Sequence, residues 1–414
     1  MKLQRAENKT TSLPASETPQ GWFFHRLEDI VHPIQSGTSV SGEDRCPSHG
    51  ELAVLKVSAV TSGKFNPNES KAVIGVESLR LKTHVLAGAI LVNRANGSAD
   101  LIGSAVYVRD SLRNIFLSDK LWQITPRQER ACGRFIGFLL SSGWFRAKVL
   151  ERSSGGTGMM NIGSGSYLGI RIPCPPLPEQ RKIAEILGTW DEALEKLDAL
   201  IQAKERRKKA LMQQLLTGKR RLKESNGKIQ FLRASELFTN RSERNVKRLP
   251  VLSVTQDQGV VLRSDLERRI THDENNTDTY KIVKAGDFII SLRSFQGGLE
   301  YSELSGAVSP AYHVIHPITE IDRSYYRHYF KSPDFVSRLA TAVIGIRDGK
   351  QISFTDFGFV KLPNPSIEDQ CRIGALLDTC DEELRLLRAE RDALDQQKRG
   401  LMQRLLTGRV RVKL

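Results

Sequence analysis

Cysteine is scarce in this 414-residue chain: Cys46, Cys132, Cys174, Cys371 and Cys380 are scattered, odd in number and form no CxxC pair. That excludes a disulfide framework and a zinc ribbon, and fits a reducing, cytoplasmic compartment. Long apolar runs are missing too. The richest stretch, 135–145, is broken by Gly137, Ser141, Ser142 and Gly143, well short of the ~20 residues of a spanning helix. Residues 1–20 hold no apolar segment and read as a disordered tail rather than a signal peptide. Acidic charge is also in deficit. With 62 Lys and Arg against 47 Asp and Glu, the net charge is +15 and the pI about 9.6, an excess that favours a polyanionic partner. Nucleotide motifs are lacking: the glycines near 155–158 lack phosphate-loop spacing and its lysine, and Gly63-Lys64 is followed by Phe65 rather than Ser or Thr.

What the chain does have is a repeat. The 44 residues from Gln180 align without gaps to the 44 from Gln370, and 20 positions are identical. The register continues upstream: Arg171 falls on Lys361, Ser142 on Ser332 and Phe145 on Phe335. Further back the halves diverge, although VSAVT at Val57 echoes VLSVT at Val251, and AGAILVNR at Ala87 echoes AGDFIISLR at Ala285. Two homologous modules with different loop insertions produce this pattern.

Each repeated segment carries a seam of alternating three- and four-residue steps. In the first it is Ile183, Leu187, Trp190, Leu194, Leu197 and Ile201, resuming at Leu211 and Leu215 after Lys204 and Lys208. In the second it runs Ile373, Leu377, Cys380, Leu384, Leu387, Leu394, Leu401 and Leu405. Such spacing specifies two long helices packed as a coiled coil, each about 60 Å long. Prolines 173, 175, 176 and 178 set the start of the first near Glu179, and Gly218 ends it. In the modules, short Val- and Ile-rich runs such as AVLKVSAV, GAILVN, SAVYV, KIVKAGDFIISL and AYHVI predict strands, while FIGFLLSS and SYYRHYFKSPDFVSRLAT predict helices. The fold class is α+β with mixed, mainly antiparallel sheets.

Polar loops with Arg, Asn, Gln and Lys carry the residue types that pair with phosphates and base edges. The candidate contacts are Lys56, Ser58, Lys64, Asn93, Arg94 and Asn96 in the first half. In the second they are Thr255, Arg293, Ser294, Gln296, Tyr312, Arg347 and Lys350. An outward helix face with Lys196, Gln202, Arg206, Arg207 and Arg388 suits a docking protein or phosphates equally. Two catalytic or metal patterns compete. Pro333-Asp334 with Asp348 and Lys350 has the residue types of a Mg²⁺ nuclease, but Ser332-Pro333-Asp334 reads as a helix start with Asp334 on the dipole. Cys46, His49 and His32 lack a fourth zinc ligand at suitable spacing.

The order of module, proline-rich segment and long helix ending in LLTG, then the same again, resembles the specificity subunits of type I restriction–modification systems. GIRIPCPPLPEQRKIAEIL, GFVKLPNPSIEDQCRIGALL and the two LMQxLLTG ends carry the resemblance, with AGDFIISLRS and AVSPAYHV in the second module. It implies target recognition domains at 21–170 and 224–360 and conserved helical regions at 171–223 and 361–414. The helices would pack antiparallel with pseudo-twofold symmetry as a spacer between the halves of an asymmetric, bipartite DNA site. It also implies a non-catalytic chain that binds no cofactor itself. Two methyltransferase subunits would hold S-adenosylmethionine, and restriction subunits would use ATP and Mg²⁺. A stand-alone nuclease and a coiled-coil scaffold without DNA binding are the competing readings.

Overall fold

A computed structural model describes residues 19–155, 158–223, 228–244, 249–256, 258–266, 279–342 and 352–414. The tail 1–18 and the candidates Arg347, Asp348 and Lys350 lie outside the described residues. The chain divides into two compact units. One runs to Lys196 and takes up Arg391–Leu414; the other is Leu197–Glu390. Each unit therefore combines one module with the first part of one long helix and the last part of the other, so the packing units cross the blocks read from sequence.

In the first unit a four-stranded antiparallel sheet has the order Gln35–Ser36, Leu121–Ile124, Ile90–Asn93, Ala105–Tyr107. The second unit repeats it with Phe238–Arg241, His313–Pro317, Phe288–Ile290 and Glu300–Tyr301. Ile90 lies opposite Ile124 in one, and Phe288 opposite Ile315 in the other. The Leu52–Leu55 strand also makes a parallel pair with Ile115–Phe116. Both modules begin with a strand paired antiparallel to the proline-containing strand before the long helix: Phe23–Arg26 with Arg171–Cys174, and Gln230–Arg233 with Lys361–Asn364. A one-turn helix follows each opening strand, its first turn fixed by Asp29 accepting from the Arg26 amide at 3.1 Å and Glu236 from the Arg233 amide at 2.6 Å.

The helix start read at Ser332 holds, and Ser142, its repeat counterpart, caps a helix in the same way. Ser142 and Ser332 each accept a hydrogen bond from the Phe three residues on, both at 3.2 Å. SYYRHYFKSPDFVSRLAT forms two helices, Arg323–Tyr329 and Pro333–Ala342, because Pro333 forces a new start. One expectation fails: AVLKVSAV is not a single strand. Leu52–Leu55 is extended, but Ser58–Thr61 is a helical turn, so VSAVT and VLSVT share letters without sharing structure.

The long helices are Leu177–Leu215 and Ile367–Leu406. Every seam residue named above is buried or half-buried. Pro178 fits in the first turn, where its missing N–H is not needed, so the helix starts two residues before Glu179. Gly218 and Gly408 follow the helix ends with φ of 74° and 71°, the left-handed turn in which the next N–H groups satisfy the last carbonyls. The first unit's core joins Trp22, Leu27, Ile90, Phe135, Leu139 and Tyr167 to Ile183 and Leu187 of one helix and Leu405 and Leu406 of the other. The second unit's core is strongly aromatic, with Phe238, Phe288, Tyr325, Tyr326, Phe330, Phe335 and Phe357 packed against Leu215, Leu216, Ile373 and Leu377.

Candidate nucleic-acid interface

A polar clasp, present in both units, fixes each module to its helix. Gln180 is buried; its amide donates to Pro175 O at 2.9 Å and accepts from the Cys132 amide, the cap of Gly133–Ser141, at 2.8 Å. Gln370 repeats this, donating to Pro365 O at 2.9 Å and accepting at 2.9 Å from the amide of Asp322, which caps Arg323–Tyr329. The helices are keyed by matched ions. Lys208 pairs with Asp381 in the second unit, and at the corresponding repeat positions Lys398 pairs with Asp191 in the first, at 2.5 Å. Lys204, also at a seam position, pairs with Glu383. Lys398 additionally lies 5.5 Å over the Phe138 ring, whereas the position corresponding to Phe138 is His328, 2.6 Å from Asp378 and near Asp381. Burial pushes the His328 pKa down despite the two carboxylates. In the first unit, buried Glu179 accepts two hydrogen bonds from Arg411, at 2.7 and 2.8 Å, and one from the Trp22 indole at 3.2 Å.

The candidate contacts separate by exposure. Arg293 and Gln296 are exposed on a short turn of helix, Ser294–Gly297, at the end of the strand Phe288–Ile290. Lys64 is exposed and lines a 310 Å³ cavity with Tyr107, Arg109, Arg134, Asp191 and Glu195. Ser58, also exposed, donates to Glu69 at 2.7 Å, and Lys56 pairs with Asp44. Arg94 is half-buried: its guanidinium sits 5.8 Å over Trp122, and its Nε is buried without a hydrogen-bond partner. Asn96 accepts from the Ser98 amide at 2.9 Å and lies opposite Met160 on a two-stranded ribbon. Tyr312 packs half-buried against Leu252 and Val314, and its carbonyl accepts from Lys281 at 2.6 Å.

Three candidates are corrected. Asn93 is fully buried; its amide donates to Leu101 O at 2.9 Å and accepts from the Ala95 amide at 3.3 Å, so it builds the loop rather than reading through it. Ser294 is fully buried and accepts from the Ser291 amide at 2.8 Å. The Thr255 hydroxyl donates to Gly259 O and accepts from the Gln258 amide, both at 3.0 Å, which locks a hairpin turn. Small polar residues in Gly-rich loops serve the backbone as readily as a ligand.

Asp334 lies in the first turn of Pro333–Ala342, bound by Arg338 at 2.7 Å and by the Tyr329 hydroxyl at 3.1 Å. Its carboxylate is committed to a structural ion pair. The Cys46 thiol donates to Asn68 O at 3.7 Å.

A family model described as the type I restriction modification DNA specificity domain matches residues 19–205, the segment that the second half repeats. The proteins this chain is similar to are specificity subunits of type I restriction–modification systems. Among the similar proteins, the putative MjaX specificity subunit of Methanocaldococcus jannaschii is 22% identical over 416 residues, covering 96% of this chain and 95% of its own. The MjaVIII specificity subunit of the same organism is 25% identical over 303 residues, covering 67% and 70%. The solved structure of the S subunit from M. genitalium superposes with a TM-score of 0.56 at 16% identity, covering 93% of this chain and 96% of that one. A chain from a structure of type I system assembly and conformational transition gives 0.57 at 18%, covering 95% and 100%. At these identities the two likenesses establish the fold.

Proposed function

We propose that this chain directs a type I restriction–modification complex to its DNA by reading a bipartite site, one half with each module. The observation that carries this reading is the combination of a duplicated scaffold with unduplicated loops. The clasps at Gln180 and Gln370 and the pairs Lys208–Asp381 and Lys398–Asp191 recur in both units. The exposed loops do not: the Ala95–Asn96 ribbon of the first module is replaced in the second by the Ser294–Gly297 turn. A repeated frame suits two copies of one partner, and divergent loops suit two different half-sites.

In this reading the helices fix the separation of the half-sites and dock two methyltransferase subunits. Those subunits would supply S-adenosylmethionine chemistry, and ATP- and Mg²⁺-dependent restriction subunits the cleavage. The net charge of +15 supports contact with DNA, because neutralised phosphates release counterions. The test is to isolate the chain with its co-purifying proteins and measure DNA binding against salt. A methyltransferase should co-purify, and affinity should fall steeply and linearly on a log–log plot, with a slope of roughly −0.9 per phosphate contact. A chain recovered alone with salt-independent binding refutes the reading.

A further inference from the structure

Two segments far apart in sequence meet on one surface of the second module. The first is the hairpin Leu252–Thr255 with Gly259–Leu262, whose turn carries exposed Gln256. The second is the turn Ser294–Gly297 with exposed Arg293 and Gln296. The Gln256 amide lies against Gly297 so closely that a Cβ there would stand 3.2 Å from its nitrogen. Gln296 precedes Gly297, and the backbone N–H of Gln296 donates to Arg293 O at 2.9 Å, so the three exposed residues lie on two adjacent turns. Among the described residues, no hydrogen bond or ion pair occupies the side chain of any of them.

Both segments are held from beneath. The hairpin turn is closed by the Thr255 hydroxyl bonds to Gly259 and Gln258. The other turn is fastened by Lys331, which donates to Gly297 O at 3.2 Å while paired with buried Glu300. Gly298 closes it at φ 77°, where a Cβ would stand 1.8 Å from Phe330 O, so no other residue fits. Both turns are thus anchored to the module by hydrogen bonds beneath the side chains that face solvent, as a reading surface requires.

We infer that Gln256, Arg293 and Gln296 form one composite base-reading site, with Gln256 and Gln296 addressing adenine and Arg293 addressing guanine in the major groove of one half-site. This rests on the function proposed above and adds Gln256 as a specificity-determining residue. A Gln amide matches the N6 donor and N7 acceptor of adenine, and a guanidinium matches O6 and N7 of guanine. Leu292, half exposed beside them, offers the apolar surface that a thymine methyl takes. The chemistry suits a duplex edge better than a protein: two amides and one guanidinium, exposed and unpaired among the described residues, complement the donor and acceptor pattern of neighbouring A·T and G·C pairs.

The test uses the assembled complex carrying the native chain, Gln256→Ala or Gln256→Glu, and selects bound duplexes from two libraries, each with one half-site randomised. Gln256 stands on an exposed turn, and thermal melting verifies that both variants fold. For Gln256→Ala, discrimination at one A·T pair should fall about 10–100-fold, with the other half-site unchanged. Gln256→Glu should shift that position toward cytosine, whose N4 donor suits a carboxylate. Unchanged preferences in both variants, or relaxation in the other half-site, overturn the assignment. Loss of partner subunits with preferences intact would show instead that the surface docks protein. A native complex with no split preference overturns the proposed function, and this site with it.

Discussion

Gln180 and Gln370 each tie a proline turn, a long helix and the cap of a module helix together through a single buried amide. Replacing either with Ala strands a buried N–H and a carbonyl, at a cost of about 1–3 kcal/mol. Denaturant midpoints should fall for both variants by similar amounts; a fall for one alone would mean that the clasps are not equivalent. His328 gives a second residue-scale expectation. Burial holds its pKa below the ordinary 6.5, so the unfolded chain binds more protons than the folded one as the pH falls below that value. Stability associated with His328 is therefore intact above about pH 6.5 and is lost as the pH falls below it. His313 and His316 are also lowered, chiefly by burial, and add in the same direction. His328→Phe, which installs the residue found at the corresponding position 138, should flatten part of this acid loss. Equal pH slopes for the native chain and the variant would contradict the assignment.

At the scale of elements, the long helices were legible because their seam keeps one register across the interruption at Lys204 and Lys208 and recurs in both halves. Ser332 was legible as a cap because Ser before Pro at a helix start has one dominant use, whereas Ser142 was read into the preceding FIGFLLSS helix. The base-contact candidates were harder, since exposure depends on tertiary packing. Asn93 and Arg293 end related strands, yet one side chain points into the loop core and the other is exposed to solvent. Gln256 was missed because nothing in its own segment places it beside Gly297, a meeting that only the sheet brings about. The conserved pairs did leave a trace: Asp191 and Asp381, like Lys208 and Lys398, recur at matching repeat positions. Lys398 and Asp191 are more buried than Lys208 and Asp381. Asp191→Asn should therefore destabilise more than Asp381→Asn, with both near 1–3 kcal/mol because the groups are partly exposed. Urea titrations of the two variants giving the opposite order would show that burial does not set the strength of these keys.

At the scale of the whole molecule, the fold uses one design twice and varies its loops. On the proposed reading, the duplicated frame carries folding and assembly, and the unduplicated loops carry recognition. The most direct measurement reconstitutes the chain with its methyltransferase partners, lets the complex act on random-sequence DNA, and maps every methylated base by sequencing. The account predicts methylation confined to one split sequence, two different short halves separated by a fixed number of unread base pairs. Methylation without sequence preference, or at one contiguous or palindromic site, would contradict it.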